Sequence, residues 1–253
     1  MTATQEALID TLYQARRNGT RPAPIDPIPS DLDEALAVQL HVLRRFEAAG
    51  ERLGGWKVGL TSGKARDRMG KDVRPFGYVL QNRVFPSGAP LPVASILRCH
   101  IEPELCLIVG SALRGQDVDR EQAKAAVRAV APAFEINEIR VQPDQSPMPL
   151  VADGLAQWGI VVGPEAPVRD GLVSTTVTFS HNGQAVETKT PGATMDDPYL
   201  SLSRLCHRLH PFGLGLEPGQ PVITGSFCHH AVTQPGSYSA AFSGVGTVSV
   251  RFR

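Results

Sequence analysis

From Gly54 to the C-terminus the apolar residues recur at every second position in short runs broken by Gly and Pro, as in GWKVGLTS, RPFGYVL, IEPELCLIVG and GTVSVRF. Side chains that alternate between two faces are the mark of strands, so most of the chain is committed to β structure. Asn182-Gly183, between VTFSH and QAVETKT, is the strongest hairpin signal, and GTVSVRF reads as a closing strand. Helical patterns are few and irregularly spaced, which excludes a regular βαβ alternation. The expected class is therefore α+β, with a curled and mostly antiparallel β core.

Helical periodicity is confined to a few places. Leu8, Ile9, Leu12 and Tyr13 form one stripe that ends at the Pro-rich RPAPIDPIPS. Leu32, Ala35, Leu36, Leu40, Leu43 and Phe46 then predict a long amphipathic helix over 31–49, with Ser30 as its N-cap. Two helices have too little apolar surface to stand alone, so residues 1–50 are expected to pack on a β-rich body, 54–253, as one domain. DREQAKAAVRAV predicts a helix near 120–130, and Asp197 before Pro198 predicts another from Pro198 to His210.

Lys+Arg and Asp+Glu both number 25. A net charge of zero leaves no overall field for nucleic acid or an anionic membrane, and a small-molecule ligand is the better expectation. No apolar stretch approaches eighteen residues and the first residues lack an apolar signal region, so neither membrane insertion nor secretion is indicated. Cys99, Cys106, Cys206 and Cys228 form no C-x-x-C pair, which suits reduced thiols in the cytoplasm.

The carboxylates carry the chemistry. In IEPELCLIVG, Ile101, Leu105, Leu107 and Val109 share one face, and Glu102, Glu104 and Cys106 share the other. Residues two apart on a strand are about 7 Å apart, near enough for both carboxylates to meet one ion, and like charges so placed need a cation or a shared proton. Glu135 lies between Phe134 and Ile136, which assigns its neighbours to the core and Glu135 to a pocket. Three oxygen donors without a His or Cys pattern suit Mg²⁺ or Mn²⁺. Glu-x-Glu on a strand is otherwise commonly the wet face of a sheet, and spacing alone leaves that alternative open.

Lys57 shares a face with Gly59 and Thr61. It can neutralise a substrate carboxylate or carry a proton, or it can be an edge-strand lysine with its head in water. His229 and His230 fit a pocket rim or, more commonly, a surface loop; being adjacent, at most one would reach a given site. Asp153 suits a turn or a pocket equally. The chain has no G-x-S-x-G elbow, no P-loop and no G-x-G-x-x-G, which argues against serine hydrolases and nucleotide sites.

Taken together, GWKVGLTS, IEPE followed by FEINEIR, VADG and GLGLEPGQPVITGSF resemble the 2-keto-4-pentenoate hydratase and 4-oxalocrotonate decarboxylase family of the fumarylacetoacetate hydrolase-like superfamily. The resemblance spans nearly the whole chain. It implies a fumarylacetoacetase C-terminal-like mixed β roll or barrel with flanking helices and an N-terminal helical segment, in a cytoplasmic homo-oligomer. It also implies Glu102, Glu104 and Glu135 as ligands of Mg²⁺ or Mn²⁺, Lys57 and Asp153 as catalytic groups, and Lys57, Thr61, Ser62 and Gln157 as substrate contacts. The implied substrate is a small 2-oxo or 2-hydroxydienoate acid of aromatic-compound catabolism, with no nucleic-acid or membrane partner. Such an acid can bind the ion through its C1 carboxylate and C2 oxygen, and the ion then favours the enolate.

That electron sink serves a lyase that hydrates 2-hydroxypenta-2,4-dienoate to 4-hydroxy-2-oxopentanoate, and equally a decarboxylase or tautomerase. A C–C hydrolase of the wider superfamily, which would need a His-Glu pair near the metal, ranks third. A non-catalytic oxo-acid-binding or assembly subunit is the alternative from another class. Two departures bear on the choice. Where many members read P-D-F-G this chain has Arg74-Pro75-Phe76-Gly77, and where they read A-D-N-x-S-S it has Ala152-Asp153-Gly154-Leu155-Ala156-Gln157. Replacement of a pocket acid and of small polar groups, with Trp158 close by, points to a more apolar pocket and altered water activation.

Overall fold

Two helices open the chain, α1 (Ala3–Asn18) and α2 (Leu32–Ala48), in a computed structural model that describes residues 2–141 and 146–253. The Leu8, Ile9, Leu12 and Tyr13 stripe of α1 is buried, as is most of the α2 stripe. The cap of α2 is Asp31 rather than Ser30: the Asp31 carboxylate accepts from Glu34 N, while Ser30 donates its own N–H and hydroxyl to the Glu34 carboxylate. A charged oxygen one residue further along satisfies the first-turn amide better than a hydroxyl.

The next strands are β1 (Leu53–Val58), β2 (Phe76–Leu80), β3 (Val84–Pro86), β4 (Pro90–Leu91) and β5 (Cys99–Val109). Helix α3 (Arg120–Ala125) leads into β6 (Val127–Glu138), then α4 (Met148–Ala152) and β7 (Gln157–Val162). The hairpin β8 (Val177–His181) and β9 (Gln184–Lys189) turns at Asn182-Gly183, both at positive φ. Helix α5 (Pro198–Leu209) is capped by Asp197, and β10 (Pro221–Ser226), β11 (His230–Ala231), β12 (Gly236–Phe242) and β13 (Gly246–Phe252) complete the chain. The helix expected over 120–130 stops at Ala125. From Val127 the chain alternates into β6, because pairing along β5 outweighs the helix propensity of its alanines.

Sheet one runs β2-β1-β10-β5-β6-β7-β3, with β11 added on β5; sheet two runs β4-β13-β12-β8-β9. The edges of sheet one, β2 and β3, are consecutive in sequence and joined by Gln81–Arg83 alone. Seven flat strands at about 4.8 Å would set the edges about 29 Å apart. Three linking residues span at most about 14 Å. The sheet must therefore curl into a roll, and its edges meet without hydrogen bonding to each other, so that among the described residues no barrel closes.

The curl sorts the residues by size. The inner face carries Ala129, Ala131, Ala133, Cys106, Ile108 and Ile223, a tight core of mostly small side chains. The outer face is larger: Trp56, Leu105, Leu107, Phe134 and Ile136 pack in one continuous cluster with α1, α2, α5 and sheet two. Lys57, Glu102, Glu104 and Glu135 have the parity of the inner face. None of the helices among the described residues is long and apolar enough to cross a membrane.

Candidate metal centre and active site

Register brings the carboxylates together. Glu102 on β5 lies directly opposite Glu135 on β6, and Glu104 sits two residues along β5, opposite Ala133. Carboxylate oxygens of all three lie within 4.8 Å of one another. Like charges directly opposite on a sheet are unfavourable, and here Glu104 and Glu135 are buried with Glu102 only partly exposed.

One amine answers them. Lys57 on β1 is buried, and its Nζ donates to Glu135 Oε1 and, at 2.9 Å, to the Leu155 carbonyl. Since β1 pairs with both β2 and β10, Lys57 is not an edge residue. Its stem crosses its cross-strand partner Gly77, where an added Cβ would come within 2.9 Å of the Lys57 side chain. Glycine at 77 is what leaves room for the lysine to turn inward. Glu104 accepts from Gly225 N at 2.7 Å, and Glu102 accepts from Asn137 Nδ2 at 3.2 Å.

His229 joins the cluster: Nδ1 lies 2.5 Å from Glu102 Oε1. Strand spacing gave it no privilege over its neighbour, which turns away to Glu187 at 2.9 Å and stacks on Phe179. No local pattern marked His229: Gly225, at φ 150°, lies in a bulge between Ile223 and Ser226 on β10, and the chain pairs with β5 again at Ser226 and, through β11, at His230.

The electrostatics follow burial and neighbours. Burial pushes the Glu104 carboxyl well above the usual range, and Glu135 and Glu102 push it further. Burial likewise raises Glu135, against the pull of Lys57. For Glu102, burial is outweighed by the His229 hydrogen bond and Lys57, and its carboxyl is held low. Burial opposes the charged form of Lys57, but Glu135 and Glu102 overcome it and keep it an ammonium. Three carboxylates facing one amine are under-neutralised, all the donors are oxygens, and a hard divalent cation is the ion such a set suits.

The carboxylates line a cavity of about 230 Å³. Lys57, Thr61 and Ser62 also line it, together with Asn137, Ser226 and His229. Leu60, Leu155 and Ala156, at φ 57°, 56° and 60°, complete part of the wall. Left-handed backbone at residues other than Gly costs on the order of 1 kcal/mol each and clusters at functional sites.

Asp153 and Gln157 are not brought to the cavity. Asp153 is buried behind it, 3.0 Å from Arg140, which also pairs with Glu138. Gln157 is fully buried with its amide unpartnered, and its carbonyl accepts from Arg16 at 2.6 Å. Arg16 also donates to the Asp153 carbonyl at 3.1 Å, so α1 ties down the loop 153–157. This explains Gly154: it lies at φ 83°, and a Cβ there would meet Arg16 Nη1 at 2.5 Å. Trp158, expected near the pocket, instead stacks on Phe85 under the Arg83 guanidinium. Pro75 spends its carbonyl on Gly59 N at 2.8 Å and does not line the cavity.

The profile of the fumarylacetoacetate (FAA) hydrolase C-terminal family matches residues 55–253. The chain belongs to this family. It is 29% identical over 249 residues to 2-hydroxyhexa-2,4-dienoate hydratase of Comamonas testosteroni, covering 95% of this chain and 94% of that one. It is 28% identical over 262 residues to 2-oxo-hept-4-ene-1,7-dioate hydratase of Escherichia coli, covering 98% of each. Among solved structures, 4-oxalocrotonate decarboxylase from Pseudomonas putida G7, complexed with calcium and acetate, superposes with a TM-score of 0.90 at 25% identity. That match covers 100% of this chain and 99% of the other.

Proposed function

We propose that this member of the family is a divalent-metal-dependent hydro-lyase acting on a 2-hydroxydienoate or 2-oxoenoate of the 2-hydroxypenta-2,4-dienoate type, giving a 4-hydroxy-2-oxo acid. The observation that carries the reading is the set of three converging carboxylates with one buried amine at the wall of a small cavity. A Mg²⁺ or Mn²⁺ ion held by Glu102, Glu104 and Glu135 would supply a Lewis acid for the substrate's C1 carboxylate and C2 oxygen. The hydratase names of the relatives and the calcium in the structural neighbour support both halves of this reading.

The remaining work falls to the chain. Lys57, an ammonium fixed by Glu135 and the Leu155 carbonyl, lines the cavity and would exchange its proton with the substrate as the dienol becomes a ketone. Thr61 and Ser62 offer hydroxyls to the substrate. Asp153 acts at a distance, holding Arg140 and the loop that presents Leu155. Gln157 fixes the same loop through its carbonyl.

A second reading, decarboxylation of a vinylogous β-keto acid, is favoured by one observation: with Pro75 outside the cavity, no carboxylate beyond the three of the cluster lines it among the described residues. Hydration needs a group to activate water, whereas loss of CO₂ needs only the electron sink and a proton donor. The cytoplasm is the compartment in which four buried, unpaired cysteines persist, and a symmetric homo-oligomer is the expected assembly. The test is a Mn²⁺ titration followed by electron paramagnetic resonance, with substrate consumption measured in parallel. Glu104→Ala should lose both the bound-Mn²⁺ signal and turnover. Retention of either at the parent level would refute the ligand assignment.

A further inference from the structure

We infer that the cavity selects acids with a single carboxylate and a short, uncharged, apolar distal group, and discriminates against dicarboxylates. This rests on the hydratase reading above, since the decarboxylase reading takes an acid with a second carboxylate to lose, and adds the substrate class.

Charge gives the first argument. Besides the three carboxylates, Lys57 and His229 are the only ionisable side chains lining the cavity among the described residues. Lys57 is committed to Glu135, and His229 to Glu102. With a divalent ion in place, the three negative charges are balanced by the ion and the ammonium together. The substrate's own C1 carboxylate then offsets any positive charge that His229 adds, and a second carboxylate would be buried without a counter-charge, which is strongly unfavourable.

Nearby guanidinium groups do not relieve this. Arg66 is 2.7 Å from Asp196 and 2.8 Å from the Ala193 carbonyl. Arg140 is buried between Glu138 and Asp153, and Arg16 donates to the carbonyls of Asp153 and Gln157. Residues 142–145, Gln-Pro-Asp-Gln, contain no basic residue.

The wall gives the second argument. Away from the polar groups, the cavity is lined by Leu60, Ile139, Leu150, Leu155 and Ala156. Leu60, Leu155 and Ala156 hold left-handed backbone that glycine would adopt at less cost, yet each carries an apolar side chain. Strain retained at three wall positions points to those side chains as the feature the site uses. At about 230 Å³ the space is below the range for drug-sized ligands and suits a short tail.

The test uses stable saturated 2-oxo acids on Mn²⁺-loaded protein by titration calorimetry: 2-oxopentanoate against 2-oxohexanedioate. The monoacid should bind about 30-fold more tightly or better, since an unpaired buried charge costs at least as much as a missing methylene contact. The same order should appear in kcat/KM for 2-hydroxyhexa-2,4-dienoate over its 1,7-dioate counterpart with one more carbon. Leu150→Arg, which adds a cation to a half-buried wall position, should lower the monoacid preference by about tenfold or more. Leu150→Ala should leave it in favour of the monoacid. Equal or tighter binding of the diacid by the parent, or an unchanged ratio in Leu150→Arg, would overturn the inference. If neither acid binds with Mn²⁺ present, the functional reading itself fails, and the inference with it.

Discussion

Lys57→Met in metal-free protein isolates the electrostatic debt of the carboxylate cluster. The substitution keeps the stem that crosses Gly77 and removes the one ammonium among Glu102, Glu104 and Glu135. Leaving a buried ion-pair partner alone costs about 3–5 kcal/mol, but a carboxylate can escape by taking a proton. From an ordinary value of 4.5 for Glu135, protonation at pH 7 costs about 3.4 kcal/mol, which caps the loss, whereas at pH 5 it costs about 0.7 kcal/mol. The sign is that of a carboxyl raised in the folded state: stability is retained below the unfolded value and lost as pH rises above it. At roughly 2–4 °C per kcal/mol for a chain of this size, thermal unfolding followed by circular dichroism should show Tm lowered by about 7–14 °C at pH 7 and by about 1–3 °C at pH 5. Saturating Mn²⁺ should narrow the gap at pH 7, since the ion supplies the missing positive charge. A shift under about 2 °C at pH 7, or one independent of pH, would refute the reasoning.

In the presence of Mg²⁺, Lys57→Met should lower kcat about 10²-fold or more while the protein stays folded, as steady-state kinetics and circular dichroism together would show. Gly154→Asn should lower Tm by several degrees, because the new side chain meets Arg16, and adding Arg16→Ala should recover part of that loss in a double-mutant cycle. Burial pushes the thiols of Cys99, Cys206 and Cys228 up to about 12 and raises Cys106 still further. None of the four should therefore react appreciably with iodoacetamide at pH 8 until the protein is unfolded, a difference that mass spectrometry reads directly.

Much of this was legible in the chain because it depends on local periodicity. The faces of β5, the hairpin at Asn182-Gly183, the buried stripe of α1 and the cap of α5 follow from alternation, turn chemistry and capping within a few residues. The convergence of Glu102, Glu104 and Glu135 was expected from their shared parity and from family resemblance. Their register, which sets Glu102 opposite Glu135, is a long-range property that no local pattern fixes. The same limit explains the misses. Residues 126–130 read as helix because their alanines favour it, yet Val127 and Val130 pack in the outer cluster and Ala129 in the narrow interior of a roll that exists only once β5 is in place. For Asp153 the residues left turn and pocket open and the resemblance implied a catalytic group, because nothing in VADG reveals that Arg140, thirteen residues earlier, will be buried against it. His229 read as surface because its approach to Glu102, a residue 127 positions earlier, is a tertiary feature.

The most direct test is a proton NMR time course of 2-hydroxypenta-2,4-dienoate in D₂O with the protein and Mg²⁺, run beside an EDTA-treated sample. The expected result is 4-hydroxy-2-oxopentanoate appearing only with the metal, deuterated at the carbon that receives the proton. Deuterium uptake or ketonisation without hydration would contradict the hydratase reading and leave the metal-assisted enolate step in the service of a decarboxylase or tautomerase.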